Sequence, residues 1–246
     1  MKHYLIVIPY LASAAQGREL EYAIAGWRKH FNENYLIAVT GEGLPPIESS
    51  DLVCVESKRV DAVPGQYRQH LDYVSCFRKV RKAFPDTEGF IFVADDCYAI
   101  NDFSFADVEC LKYIPGGIDY DPNSPNEWRR DAMKTKRMLD AIGFPSRNFT
   151  THLPQWIEWD KLEYLWDKYD LDHQSCVFED LYYNYYYPVA GAVAIDGDDR
   201  FKCSVTSTRP NAERLARAFS EKIWINNNPD GWCPLLDAML REHYGL

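Results

Sequence analysis

Apolar positions along the chain follow two spacings. Residues 4–8, "YLIVI", form an unbroken apolar run, which predicts a short strand buried on both faces. From Arg18 the spacing changes. Leu20, Ile24, Trp27 and Phe31 recur at steps of four, three and four, one face of an amphipathic helix. "YLIAVT", residues 35–40, predicts a second strand, "GEGLPP" behind it a loop, and "LVCVE", residues 52–56, a third strand. Tyr67, Leu71, Val74, Phe77, Val80 and Phe84 mark a long helix, and "FIFVA", residues 90–94, the next strand. Strand, helix, strand, strand, helix, strand predicts an α/β fold with a mostly parallel central sheet flanked by helices.

The second half is less regular. Trp128, Ala132, Thr135, Leu139 and Ile142 predict a helix that Gly143 and Pro145 terminate. "FTTHLPQW" places His152 at the end of a short extended piece, and Leu162, Leu165, Trp166 and Tyr169 mark another helix. "CVFEDLYYNYYYP" reads as an aromatic helix ending before Pro188, with its tyrosines in the core. "RFKCSVTS" and "KIWIN" predict strands, and residues 211–219 and 235–244 helices. With no internal repeat and no Gly/Ser linker, a single domain over residues 1–246 is expected.

Composition narrows the partners. The net charge of -10 disfavours a nucleic-acid backbone or an anionic membrane surface as the main partner. No apolar run approaches the ~20 residues of a membrane span, so no stable membrane insertion is expected. The opening "MKHYLIVIPYLASAAQG" resembles a minimal signal peptide, with Ala12-Ser13-Ala14 as a cleavage-like site. Its apolar run is short, Pro9 interrupts it, and it leads into a helical pattern. It is therefore read as a core strand, and a cytoplasmic protein is expected. The seven cysteines form no C-x-x-C pair, which indicates neither a disulfide framework nor a zinc site.

The chemistry centres on "FVADDCYAIND", where an apolar strand runs into adjacent carboxylates, Asp95 and Asp96. In α/β sheets ligands bind outside the carboxyl ends of the strands, where this pair sits. Two like charges side by side repel, and a bound cation relieves them; so does simple exposure to water. Mg²⁺ and Mn²⁺ prefer oxygen ligands, and such an ion lets an acidic protein hold a diphosphate. No G-x-x-x-x-G-K-[ST], no G-x-G-x-x-G after the first strand and no G-x-S-x-G occurs. These absences exclude a P-loop and disfavour a dinucleotide oxidoreductase and an ordinary serine hydrolase.

"FVADDCYAIND", then "THLP", then "FEDLYYN" resembles a nucleotide-diphospho-sugar transferase of the Rossmann-like GT-A fold. Over residues 85–190 the similarity is closest to the Stealth-type sugar-phosphate transferases, although Ala94-Asp95-Asp96-Cys97 lacks the D-x-D spacing. The resemblance implies a metal-dependent glycosyltransferase of glycan or surface-polysaccharide synthesis. A nucleotide-sugar donor would meet residues 1–100, and a glycan or other hydroxyl acceptor residues 101–246. It implies Mn²⁺ or Mg²⁺ on Asp95 and Asp96, with His152 as a metal ligand, phosphate contact or acid-base group. Pro9, Tyr10 and Arg68 are implied donor contacts, with Lys58 and Arg59 beside Arg68. Asp102 is expected to orient the loop or bind the donor sugar. Asp180 is the implied catalytic base and Glu179 its alternative. Sugar-phosphate transfer, a non-catalytic nucleotide- or carbohydrate-binding module and a metal-dependent phosphohydrolase are the competing readings.

Overall fold

The leader-like run at the amino terminus becomes the middle of a sheet. In the computed structural model, which describes residues 3–46, 49–61, 64–197 and 199–246, β1 (Tyr4–Leu11) has parallel partners on both sides. They are β2 (Tyr35–Glu42) and β4 (Gly89–Phe92). Residues 4–9 are all buried, which explains why this strand carries no polar alternation. β3 (Leu52–Glu56) extends the sheet beyond β2, and β7 (Gln155–Glu158) closes the other edge antiparallel to β4. The order is β3-β2-β1-β4-β7. The expected α/β architecture, mainly parallel and covered by helices, is what the chain forms.

Alternation along β1 divides the core. Leu5 and Val7 pack with Val74 and Phe77 of α2 (Arg68–Ala83), with Leu162 of α5 (Trp159–Tyr169), and with Phe178 of α6 (Phe178–Tyr186). Tyr4, Ile6 and Ile8 face the other way, onto Leu20, Ile24 and Trp27 of α1 (Glu19–His30). Gly41 sits where β2 passes the end of β1, with φ of 144°. A Cβ there would lie 1.8 Å from the Tyr10 carbonyl oxygen, so only glycine lets the two strands close at this point.

A second sheet brings the late part of the chain to the same edge. β5 (Cys97–Ala99) pairs with β10 (Trp224–Asn227), which runs parallel to β9 (Lys202–Val205). Neither β5 nor β7 was expected from the sequence. β5 is three residues long and buried in one run, and β7 passes directly from Pro154 into α5. The short helix α3 (Phe105–Glu109) and the two-residue strands β6 (Lys112–Tyr113) and β8 (Val193–Ala194) also left no periodic signal. Among the described residues no helix is long and apolar enough to cross a membrane.

α8 (Pro234–Tyr244) packs on α1 through a chain of polar groups. His30 Nδ1 lies 2.9 Å from Asp102 Oδ1, and His30 Nε2 lies 2.9 Å from His243 Nε2. Asp102 thus orients His30, the residue through which α1 meets α8, a role the sequence did not reveal. Burial first, then the charges of Lys29 and His30, lower the His243 pKa to about 4. The unfolded chain therefore takes up this proton first, and stability is complete above pH ~6.5 and lost as pH falls towards 4. Thermal denaturation between pH 7 and 4 should show wild type losing about 2–4 °C more than His243→Gln; parallel curves would refute this.

Candidate active site

The strand order reverses between β1 and β4, so the chain leaves these two strands in opposite directions and opens a crevice at their carboxyl ends. Tyr10 is the penultimate residue of β1 there. Asp95 and Asp96 follow β4 in a tight turn, in which the Cys97 N–H donates to the Ala94 carbonyl at 3.3 Å. Burial, then the charges of Asp95 and Glu19, raise the Tyr10 phenol above its ordinary pKa, so the two strand ends meet electrostatically. Pro9 is buried within β1 opposite Thr40 and forms part of the sheet.

Asp95 and Asp96 are joined by a third carboxylate that the sequence did not reveal. Glu19, the first residue of α1, is 6% exposed. Its Oε2 accepts from the Gln16 N–H at 2.6 Å and its Oε1 from Asn227 Nδ2 at 2.8 Å. Tyr98 donates to Asn227 Oδ1, and the Asn227 N–H donates to the Asp96 carbonyl, so β5, β10 and α1 all brace the turn. Burial and then Glu19 raise Asp95 to about 7. Burial, then Asp95 and Glu19, raise Asp96 to about 8, with Lys202 opposing. Asp96 Oδ1 is buried and has no hydrogen-bond partner. In sequence Glu19 looks like an ordinary first-turn acid of a helix.

His152 is brought to the same place. Its Nδ1 lies 4.0 Å from Asp96 Oδ1, too far for a hydrogen bond. Its backbone takes φ of 55°, a left-handed conformation that a histidine adopts at a cost and that clusters at functional sites. The flanking chain holds it there: the Thr151 N–H donates to the Phe149 carbonyl, Gln155 Nε2 donates to the same carbonyl, and buried Lys202 donates to the Thr151 carbonyl. Its surroundings and then the Lys202 charge lower the His152 pKa; half the side chain meets solvent, which moderates the effect. Its direction favours a neutral imidazole, the form that can ligate a metal.

The two acids of "FED" separate. Asp180 is 1% exposed, its Oδ1 accepts from the Phe149 N–H at 2.5 Å, and burial pushes its pKa well above the carboxylate range. It clamps α6 to the segment leading to His152 and is out of reach of an acceptor hydroxyl, which corrects its expected role as base. Glu179, one residue earlier, is half-buried, and burial raises it to about 7. Tyr73, missed in the sequence, is raised well above its ordinary pKa by burial first and then by the charges of Glu179, Asp95 and Asp96. Arg68 begins α2 at the same edge, with its Nε buried and without a partner. Arg59 is instead tied to Asp72 at 3.0 Å, and Lys58 is exposed. Tyr182 and Tyr183 lie in the core, as their helical spacing indicated.

A partnerless carboxylate oxygen, two carboxyls raised by burial and neighbouring negative charge, and an imidazole nitrogen 4.0 Å away fit an oxygen-preferring divalent ion. Among the described residues no three His, Cys, Asp or Glu side chains close into a cage.

No family model and no curated protein matches the chain. Among solved structures it is similar to a glycosyltransferase involved in the glycosylation of the major capsid of PBCV-1, at 11% identity and a TM-score of 0.44, covering 100% of both chains. It is also similar to an active-site mutant of LgtC, at 11% identity and a TM-score of 0.47, over 98% of this chain and 95% of that one. Likeness at this level concerns the path of the chain, and the chemistry rests on the side chains.

Proposed function

We propose that the chain is a GT-A-type glycosyltransferase that moves a sugar from a nucleotide-sugar donor to a hydroxyl acceptor, with Mn²⁺ or Mg²⁺ at Asp95 and Asp96. The observation that carries this reading is the partnerless Asp96 Oδ1, which feels the charges of Asp95 and Glu19, at the switch point of the sheet. A diphosphate is repelled by such a cluster unless a cation intervenes. When bound, the ion supplies positive charge against the diphosphate oxygens as the donor is held and as it leaves.

The chain's own groups do the rest. Asp95, Asp96 and His152 hold the ion, and the free Nε of Arg68 donates to a phosphate oxygen. Glu179 takes the proton of the acceptor hydroxyl. The acceptor oxygen bonds to the anomeric carbon, the bond from that carbon to the diphosphate breaks, and its electron pair departs with the nucleoside diphosphate. Lys202, Asn227 and Asp180 fix the backbone that carries these groups.

Calorimetric titration of UDP and GDP tests the cation. At least one should bind ten times or more tightly with Mn²⁺ than with a chelator, a gain of about 1.4 kcal/mol or more, and Asp96→Asn should abolish the difference. Equal affinity in both conditions would refute the bridge. Transfer of radiolabelled sugar from the same nucleotide to an acceptor, in preference to water, separates a transferase from a hydrolase.

A further inference from the structure

Away from the acidic pair, a crevice of about 540 Å³, counting its open mouth, lies between edge strand β7, the segment joining α3 to β6, and the end of α6. We propose that it binds one neutral sugar ring of a glycan. Its walls are aromatic: Phe149, Trp156, Tyr183 and Tyr187 all line it. Gln155, also in its wall, is 6% exposed, and its Oε1 is buried without a partner, while its Nε2 is committed to the Phe149 carbonyl. An unmatched buried acceptor costs about 1–3 kcal/mol unless a ligand brings a donor.

The other polar groups decide which donor. Lys112 spends its ammonium on the carbonyls of Asp107, Val108 and Cys110. Tyr183 donates to the Trp156 carbonyl, and Tyr187 accepts from Lys161. No cation is left to neutralise an anionic ligand, and exposed Glu109 on the lining repels one. Glu158, the other carboxylate of the lining, is already paired with Lys161. The Lys161 Nζ also sits 5.0 Å from the centre of the Tyr187 ring, so that carboxylate and that ring face are both taken against a cationic ligand. What remains is a neutral molecule with hydroxyl donors on one side and an apolar face for aromatic rings on the other. A pyranose has both.

This goes beyond the transfer reading by giving a glycan a foothold apart from the metal site, and it is tested without turnover. Saturation-transfer NMR with glucose, galactose and N-acetylglucosamine is run in chelator, without nucleotide. At least one sugar should take up saturation from wild type. Gln155→Leu should weaken its binding about tenfold. Tyr187→Leu, away from the Phe149 segment, should weaken it as well. Tyr187→Leu should keep the UDP or GDP affinity of wild type with Mn²⁺, which separates loss of the crevice from loss of the fold. No saturation with any of the three sugars, undiminished binding in Gln155→Leu and Tyr187→Leu, or displacement of the sugar by tetramethylammonium would overturn the assignment.

Discussion

Glu179→Gln should lower turnover by about 10²–10⁴-fold with donor affinity nearly unchanged, the signature of a lost general base. Glu179 is half-buried at the start of α6, and burial lifts its carboxyl to about 7, so near neutral pH it is partly ionised and basic enough to accept a hydroxyl proton. The helix amino terminus supports that negative charge. The rate should rise with pH through about 7 and level off above it, and Glu179→Gln should flatten this rise. Asp180→Asn is the contrast. Burial raises its carboxyl pKa, its Oδ1 accepts from the Phe149 N–H, and an asparagine amide offers the same acceptor with the same shape. Turnover should therefore survive it. Single-turnover rates across pH for both variants decide the matter. A Glu179→Gln enzyme with wild-type rate would remove the base.

The difference between those neighbours marks how far the sequence could be read. A helix beginning at "FED" was legible from its aromatic spacing. Which acid is tied to the Phe149 N–H was not, since adjacent helical residues point ~100° apart and the choice is set by the Phe149 segment, some thirty residues earlier. Asp95 and Asp96 were legible because both the strand and its end lie in one local run. Glu19, Lys202 and Asn227 surround the same turn but come from three other elements, and in sequence each is an ordinary helix-start acid, surface lysine or strand-end amide. The parallel core strands were found because burial on both faces leaves unbroken apolar runs. β5 and β7 were missed because short strands at a junction or an edge carry too few residues for a period to show.

In chelator at pH 8 or above, Asp96→Asn should be more stable than wild type. Asp96 is 20% exposed on its side chain, its Oδ1 has no partner, and its charge must coexist with those of Asp95 and Glu19. Burial and these neighbours raise its folded pKa to about 8, above that of an unfolded aspartate. The folded protein therefore binds more protons than the unfolded chain between about pH 4 and 8, and stability drains away as pH rises through that window. Each unit of displacement corresponds to about 1.4 kcal/mol; allowing for relaxation and water entry, relief of the order of 2 kcal/mol is expected. That is a gain of about 4–8 °C in melting temperature, shrinking to nothing near pH 4. Saturating Mn²⁺ should reverse the order, because an ion that binds the folded state through Asp96 stabilises wild type and not the variant. Differential scanning calorimetry at pH 4 and pH 8, with chelator or Mn²⁺, gives all four comparisons. An Asp96→Asn protein that melts below wild type in chelator at pH 8 would show that the carboxylate is structural, and that the strain at this turn is not held for a cation.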